Sequence, residues 1–149
     1  AEVCAAGKAT WAIKSKVAVL LAAVVRQQGA PAYTQLLPQL LNNADSHALQ
    51  AELACMVLHF LSEDLREFDT MSNESKRAFL HALTASVGDV FPFLCRQLEQ
   101  QYAMLVSARA RGAASDATPH ANVVNSALAA LSIWAEWAPM ALITPRQAG

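Results

Sequence analysis

Apolar residues recur at intervals of three and four along residues 47–108, and this spacing constrains the fold more than any other feature of the sequence. Such an interval places side chains on one face of an α-helix, because the helix turns once in about 3.6 residues. A short polar segment, residues 69–73, divides the pattern into two runs. The sequence therefore predicts a hairpin of two amphipathic helices, each of which must bury its apolar face against a neighbour.

The first of these runs begins after Ser46, whose hydroxyl we expect to cap the helix N-terminus. Its apolar face comprises Leu49, Leu53, Met56, Val57, Phe60, Leu61, Leu65 and Phe68. The opposite side, which we expect to face solvent, comprises Glu52, His59, Glu63 and Glu67. This division into two sides is typical of a helix at the surface of a larger core.

The second run is the longest and extends over residues 74–108. Its apolar face comprises Phe79, Leu80, Leu83, Val87, Val90, Phe91, Leu94, Leu98, Tyr102 and Leu105. Pro92 lies inside this run, and its ring would collide with the carbonyl group of Gly88 in a regular helix. Because glycine tolerates distortion, we expect one long helix that is kinked near Pro92. The alternative is two helices that divide near Asp89.

Two further runs precede this hairpin, over residues 8–28 and 31–43. Gly29 stands where a glycine ends a helix, and Pro31 suits the first turn of the next one. The second run carries one apolar face, made of Tyr33, Leu36, Leu37, Leu40 and Leu41. These runs are therefore predicted to form another helical hairpin.

The last run extends over residues 118–138, with Thr118 as its expected N-cap and Pro139 at its end. Its buried face is predicted to comprise Val123, Val124, Ala127, Leu128, Leu131, Trp134 and Ala138. Residues 109–117, which precede it, are small and polar and predict a mobile loop.

The runs pair into hairpins at residues 8–43 and 47–108, and residues 118–138 supply the first helix of a further repeat. Chain periods of about 40 residues or more are typical of HEAT-type arrays, in which each hairpin buries its faces against its neighbours. We therefore predict an all-α fold, an α-solenoid of about five helices over a single segment, residues 1–149. The unpaired last helix indicates a fragment of a much longer chain.

The composition argues against direct binding of this segment to nucleic acid or to a membrane. The formal net charge is −1 and only 15% of residues are charged, so the clustered basic surface that grips nucleic-acid phosphates is missing. Cys4, Cys55 and Cys95 have no regular spacing, which favours reduced, intracellular thiols. The apolar stretch at residues 17–25 is far shorter than the roughly 20 residues of a membrane-spanning helix. We expect no membrane association.

No motif in the sequence indicates catalysis. Cys55 and His59 lie four residues apart, but zinc needs about four converging ligands, so a buried cysteine beside a surface histidine is the simpler interpretation. Glu63 and Asp64 are adjacent and diverge by about 100° on a helix, so they would not face one substrate atom. We expect no enzyme activity, no cofactor and no metal site.

Several polar and aromatic residues are candidates for recognition. Trp134 and Trp137 are expected to pack in the core and between repeats rather than on a recognition surface. The pair Arg109 and Arg111 gives only a weak indication of phosphate contact. On the longest run, three residues fall near one polar stripe and are predicted to contact an acidic protein partner: Arg77, His81 and Arg96.

Several short segments resemble the exportin 5 family, and its plant-type branch most closely. They are residues 50–53, 62–64, 76–77, 83–84, 91–94, 120–124 and 136–139, which read QAEL, SED, KR, LT, FPFL, HANVV and EWAP. The matching segments occur in the same order as in that family and together cover roughly residues 13–143. It implies a karyopherin of the importin-β superfamily, which is a superhelix of HEAT repeats.

The resemblance also implies a function. Such receptors bind Ran in its GTP form together with cargo, pass nuclear pore proteins, and shuttle between nucleus and cytoplasm. The exportin 5 family carries double-stranded or hairpin RNA such as microRNA precursors, through later repeats than these. This segment would be the Ran-proximal scaffold, with the second helix of each hairpin on the concave side. The alternative is an adaptor that docks an RNA-processing protein independently of Ran.

Overall fold

The computed structural model describes residues 2–63 and 72–139, and the side chains of this part from Thr10 onward. The described residues form six helices and no strand: α1 (Glu2–Gln28), α2 (Ala30–Ala44), α3 (Ala48–Glu63), α4 (Asn73–Ala85), α5 (Val87–Ala110) and α6 (Ala114–Trp137). This architecture confirms the all-α fold that the sequence predicts.

The helices form two layers around a central α3. α1 and α6 both pack extensively on α3 and contact each other little, so the first layer has the order α1, α3, α6. α2 packs on α3 and α1, α4 packs mainly on α2, and α5 packs mainly on α6. The second layer therefore comprises α2, α4 and α5, as expected for stacked helical hairpins.

The predicted amphipathic character of α3 is wrong, because the structure buries nine of its 16 residues. Glu52, predicted to face solvent, is buried and pairs with Lys14 of α1, whose Nζ donates to both carboxylate oxygens at 2.9 and 3.0 Å. Only 4% of the Glu52 side chain and 14% of the Lys14 side chain remain exposed. The paired lysine makes this burial tolerable, since an isolated buried charge is strongly unfavourable. Glu63 is exposed, as predicted, whereas His59 is partly buried and lines a cavity among α1, α3 and α6.

The longest run is divided into α4 and α5, which are bent by 52° at Ser86. The structure therefore has two helices, as in the alternative interpretation, rather than one helix kinked near Pro92. The break at Ser86 lies three residues before Asp89 and six residues before Pro92. The Ser86 hydroxyl donates to the carbonyl oxygen of Leu83 at 2.7 Å. In a continuous helix that carbonyl would accept from the amide of Val87, so the serine side chain competes with the helical bond at the bend.

Among the described helices, none has by itself the length and hydropathy needed to cross a bilayer. α4 and α5 together meet these criteria, but only as a pair with the 52° bend between them.

The link between α5 and α6 is a tight turn rather than the predicted loop over residues 109–117. Gly112 has φ of +73°, and its amide and that of Ala113 bond the carbonyls of Arg109 and Ala108 at 3.0 and 2.9 Å. This pattern is a Schellman motif, which ends a helix with a glycine in the left-handed region. α6 therefore begins at Ala114, and the predicted N-cap at Thr118 lies one turn inside the helix.

The N-cap predicted for α3 is also wrong. The Ser46 hydroxyl donates back to the carbonyl of Asn43 at 2.7 Å and so closes the end of α2. His47 precedes α3 instead, where its Nδ1 accepts from the amide of Leu49 at 3.2 Å. Gly29, with φ of +93°, separates α1 from α2 as the sequence predicts.

The buried face of α5 departs from its apolar stripe after the third turn. Gln97 and Gln101 are buried, whereas Tyr102, expected in the core, is 58% exposed. α6 packs on the side of α5 that carries these glutamines. Tyr102, one position after Gln101, therefore lies outside the contact, whereas Leu98 is still partly buried against the core. Leu80 and Leu128, both predicted to be buried, are likewise exposed.

The outer side of α1 carries an apolar stripe that the described residues leave uncovered. Ile13, Val17, Leu20 and Val24 follow one another at intervals of four, three and four, and all are exposed. Leu20 is the most exposed of them, at 65%. An apolar helix face of this size normally packs against another protein surface.

We predict that the 149-residue chain self-associates through this stripe. Replacing Leu20→Glu places a charge in the middle of the stripe and should shift the chain towards the monomer, because a buried unpaired charge is unfavourable. Light scattering over a range of protein concentrations measures the shift. Gln27→Glu, on an exposed polar position of α1, is the control. A monomer at every concentration for the unaltered chain would contradict the prediction.

A second prediction concerns the buried ion pair. Lys14→Met should lower the free energy of unfolding by about 3 kcal/mol, because it leaves the Glu52 carboxylate buried without its partner. Urea denaturation of the 149-residue chain measures this loss. Lys14→Met combined with Glu52→Leu removes both charges and should restore most of the stability. A double variant no more stable than the single one would show that the pair is not the source of the loss.

Candidate partner-binding groove

The three residues predicted to contact a partner lie on the second layer. Arg77 and His81 are one turn apart on the exposed surface of α4, and Arg96 lies in the third turn of α5. His81 lines a groove between α2 and α4, and Arg96 lines its continuation between α2 and α5. Arg77 is outside the lining of either section. The structure thus brings two of the three residues to one groove.

We call this feature the α2 groove, since α2 forms one wall along its whole length. The section against α4 has a volume of about 770 Å³, and the section against α5 has a volume of about 440 Å³. Leu37, Pro38 and Asp89 line both sections, so the two are continuous. A groove of this size admits a helix or an extended segment of a partner.

The floor of the larger section contains a buried hydrogen bond between the two walls. The hydroxyl groups of Tyr33 and Ser86 are 2.7 Å apart. Because the Ser86 proton is donated to Leu83, Tyr33 must be the donor in this pair. The ring of Phe79 packs beside Tyr33 with a centroid distance of 5.8 Å. Burial raises the pKa of Tyr33 above its ordinary value, so the phenol stays protonated and available as a donor.

Arg96 at the other end of the groove is held by two contacts. Its guanidinium group lies 3.5 Å from Oδ1 of Asp45 and 5.8 Å from the centre of the Phe93 ring. About half of each charged side chain is exposed, so this ion pair contributes little to stability. Arg96 is therefore positioned at the groove yet free to exchange Asp45 for a carboxylate of a partner.

A chain of polar contacts that the sequence did not predict runs from the groove towards α6. His120 Nδ1 donates to Gln101 Oε1 at 2.6 Å, Gln101 Nε2 donates to Gln97 Oε1 at 3.5 Å, and Gln97 Nε2 donates to Asp45 Oδ1 at 3.3 Å. A cavity of about 210 Å³ lies beside it. The spacing of four between the two glutamines placed them on one helix face, but nothing in the sequence indicated that this face is buried.

Asp89 and the Tyr33–Ser86 pair also line the groove, which the sequence does not predict. Tyr33 belongs to the predicted apolar face of α2 and is buried, and the sequence indicates Asp89 only as a helix boundary. The sequence offered one signal, since Pro31 and Pro38 lie seven residues apart and hence on one side of α2. Both prolines line the groove.

The Cys55–His59 pair does not converge on a metal site. Cys55 is fully buried, and burial, followed by the nearby charge of Glu52, raises the pKa of its thiol to about 12. Nε2 of His59 points to Glu63 at 3.3 Å instead. No group of three or more potential ligands is close enough to hold a metal ion within residues 2–63 and 72–139. The neighbouring Asp64 lies outside the described residues.

The two tryptophans of α6 are structural, as the sequence predicts. Trp134 is fully buried and its indole N–H donates to the carbonyl of Leu58 at 2.8 Å. Trp137 donates to the hydroxyl of Ser62, and the two rings are 5.0 Å apart. Both residues therefore fix α6 to α3. Arg109 and Arg111 are exposed where α5 ends.

A smaller cavity of about 170 Å³ lies on the first layer, among α1, α3 and α6. Trp11, Met56 and Phe60 give it apolar walls, and Asn125 and Ser126 line its other side. None of the three residues predicted for partner contact lines this cavity. The α2 groove is therefore the better candidate for partner binding.

Comparison with known proteins identifies relatives of this chain. The family model described as exportin 1-like protein matches residues 10–147. Protein HASTY 1 of Arabidopsis thaliana is 32% identical over 131 residues, which is 87% of this chain. The chain spans 11% of the length of that curated relative. No solved structure matches the chain.

The different exposure of Cys55 on α3 and Cys95 on α5 provides a test of how α3 is packed. In a Cys4→Ser background, a thiol-specific reagent should label exposed Cys95 quickly and buried Cys55 at least about a thousandfold more slowly. The reason is that only the thiolate reacts, and a pKa of about 12 for Cys55 makes that form scarce. Mass spectrometry of digested samples measures both rates. In concentrated urea the two rates should become similar, and equal rates in the folded chain would contradict the described packing of α3.

Proposed function

This chain belongs to the exportin 1-like family, and on that premise we propose that it is part of a nuclear export receptor that shuttles between nucleus and cytoplasm. We propose further that export depends on Ran in its GTP form and that the cargo is small structured RNA such as microRNA precursors. The 149 residues would form the Ran-proximal scaffold of the receptor. The match of the exportin 1-like model to residues 10–147 is the observation that carries the proposal.

The architecture supports binding rather than catalysis. Stacked helical hairpins present long surfaces to macromolecules, because each repeat contacts only its neighbours and leaves one side open. The acidic and basic side chains of the α2 groove, His81, Asp89 and Arg96, lie exposed on its rim, and the lining of the section between α2 and α4 is mainly apolar. Exposed rim charges steer association and determine which partner is accepted. We therefore propose a non-enzymatic carrier.

Ran is proposed to contact the α2 groove and the adjacent surface of α4. His81 and Arg96 present donors to a partner carboxylate, and Arg77 extends this polar surface by one helical turn. Exchange of the exposed Asp45–Arg96 pair for a pair with the partner costs little, since both side chains are already solvated. The partner would gain from covering the apolar floor.

RNA is proposed to bind elsewhere in the whole protein. The net charge of this chain is −1, and Lys14 is committed to Glu52 in the core. Tight phosphate binding requires several free cations on one surface. Nuclear pore proteins are proposed as further partners on the strength of the family resemblance.

The two partners are proposed to assist each other. If Ran and RNA each stabilise the same curvature of the solenoid, each raises the affinity for the other by the same factor. This reciprocity explains how a segment that does not touch RNA would still control its release.

The test is capture of Ran by the whole protein, with Ran loaded with GTP or GDP and with or without hairpin RNA. We expect capture of the GTP form alone, and stronger capture when RNA is present. Equal capture of both nucleotide forms would contradict the proposal. Binding of an RNA-processing protein without Ran would instead support the adaptor alternative.

Variants locate the contact. His81→Glu combined with Arg96→Glu should weaken capture of the GTP form by about tenfold, because rim charges would then repel an acidic partner surface. Arg109→Glu changes the charge of an exposed residue outside the groove and is the matched control. Unchanged capture by the double variant would place Ran on another surface.

A further inference from the structure

α4 is held in place less firmly than α5, the helix that follows it along the chain. Of its 13 residues, only Phe79 and Leu83 are buried, whereas α5 buries eight residues. α4 packs mainly against α2, and α5 packs extensively against α6. A helix with few buried side chains has a lower free energy of local opening than one anchored in the core. The part of the groove wall that α4 forms is therefore easier to displace than the part that α5 forms.

A single residue, Ser86, separates α4 from α5 and forms the bend between them. Ser86 has φ of −86° and ψ of −7°, and the helices on either side of it differ in direction by 52°. The amides of Asp89 and Val90 both bond the Ser86 carbonyl at 2.9 Å, which starts α5 anew. A bend confined to one residue allows α4 to rotate while α5 stays on α6.

A directional pair of hydrogen bonds spans this joint. Tyr33 of α2 donates to the Ser86 hydroxyl, and that hydroxyl donates to the Leu83 carbonyl, both at 2.7 Å. The pair connects the opposite wall of the groove to the point of the bend and to the last turn of α4. Buried hydrogen bonds of this kind hold one arrangement, because any rotation that breaks them leaves polar groups unpaired.

We propose that α4 is a hinged wall of the α2 groove, which turns about Ser86 and is latched by the Tyr33–Ser86 hydrogen bond. Breaking the latch widens the section between α2 and α4, while the section between α2 and α5 keeps its shape. The hinge is a property of the fold and does not depend on which macromolecule occupies the α2 groove.

Hydrogen exchange followed by mass spectrometry tests the hinge in the whole protein without any partner. Tyr33→Phe removes only the latching hydroxyl and should raise the exchange rate of α4 about fivefold, as expected for the loss of one hydrogen bond. Exchange in α3 and α5 should stay unchanged. Ser86→Ala should give a similar increase, and the two substitutions together should give no more than either alone.

Thr84→Ala is the matched control. The Thr84 hydroxyl bonds the Leu80 carbonyl at 2.8 Å within α4, four residues back rather than three as in the Ser86–Leu83 bond, and it does not reach α2. This variant should not accelerate exchange in α4, because alanine is the better helix former. Equal acceleration of α3, α4 and α5 by Tyr33→Phe, or no acceleration of α4, would overturn the hinge. Since no partner is added, this result is independent of the test of Ran capture.

Discussion

The burial of α3 on nearly every side is the constraint on which the rest of the structure depends. Three polar contacts fix its neighbours to it in one arrangement: the Lys14–Glu52 pair from α1, and the indole N–H groups of Trp134 and Trp137 from α6. Apolar packing would tolerate several arrangements of such similar helices. The polar contacts add specificity, because each would leave a buried group unpaired in any other position.

The position of the α2 groove follows from this anchoring. α2 is held on α3, and α5 is held on α6, so both have fixed places relative to the core. α4 follows the bend at Ser86 and packs mainly on α2, with a smaller contact to α5, and the groove opens between α2 and α4. The surface proposed for partner binding is thus a consequence of how unevenly the second layer is supported.

Much of the fold was predictable from the sequence, because helical periodicity and helix-ending residues such as Gly29 act locally. Burial of Glu52, Gln97 and Gln101 was not, since it depends on which helix packs against them. The Schellman turn at Gly112 was readable in principle, but the small residues around it resembled a loop. For the groove, the polar stripe predicts partner contact for His81 and Arg96, and the structure places both residues on the groove lining. The opposite wall escaped prediction because a pattern within one helix does not reveal its partner across a cleft.

The aligned amides of Gln97 and Gln101 have a consequence for how α5 and α6 meet. Every donor from His120 to Asp45 points the same way, and Asp45 Oδ1 at the end of this chain also pairs with the guanidinium group of Arg96. If α5 slid along α6 by one turn, the small and apolar residues would repack easily, but the buried Gln97 and Gln101 side chains would lose these hydrogen bonds. The glutamines therefore oppose slippage of α6, the first helix of the further repeat, along α5.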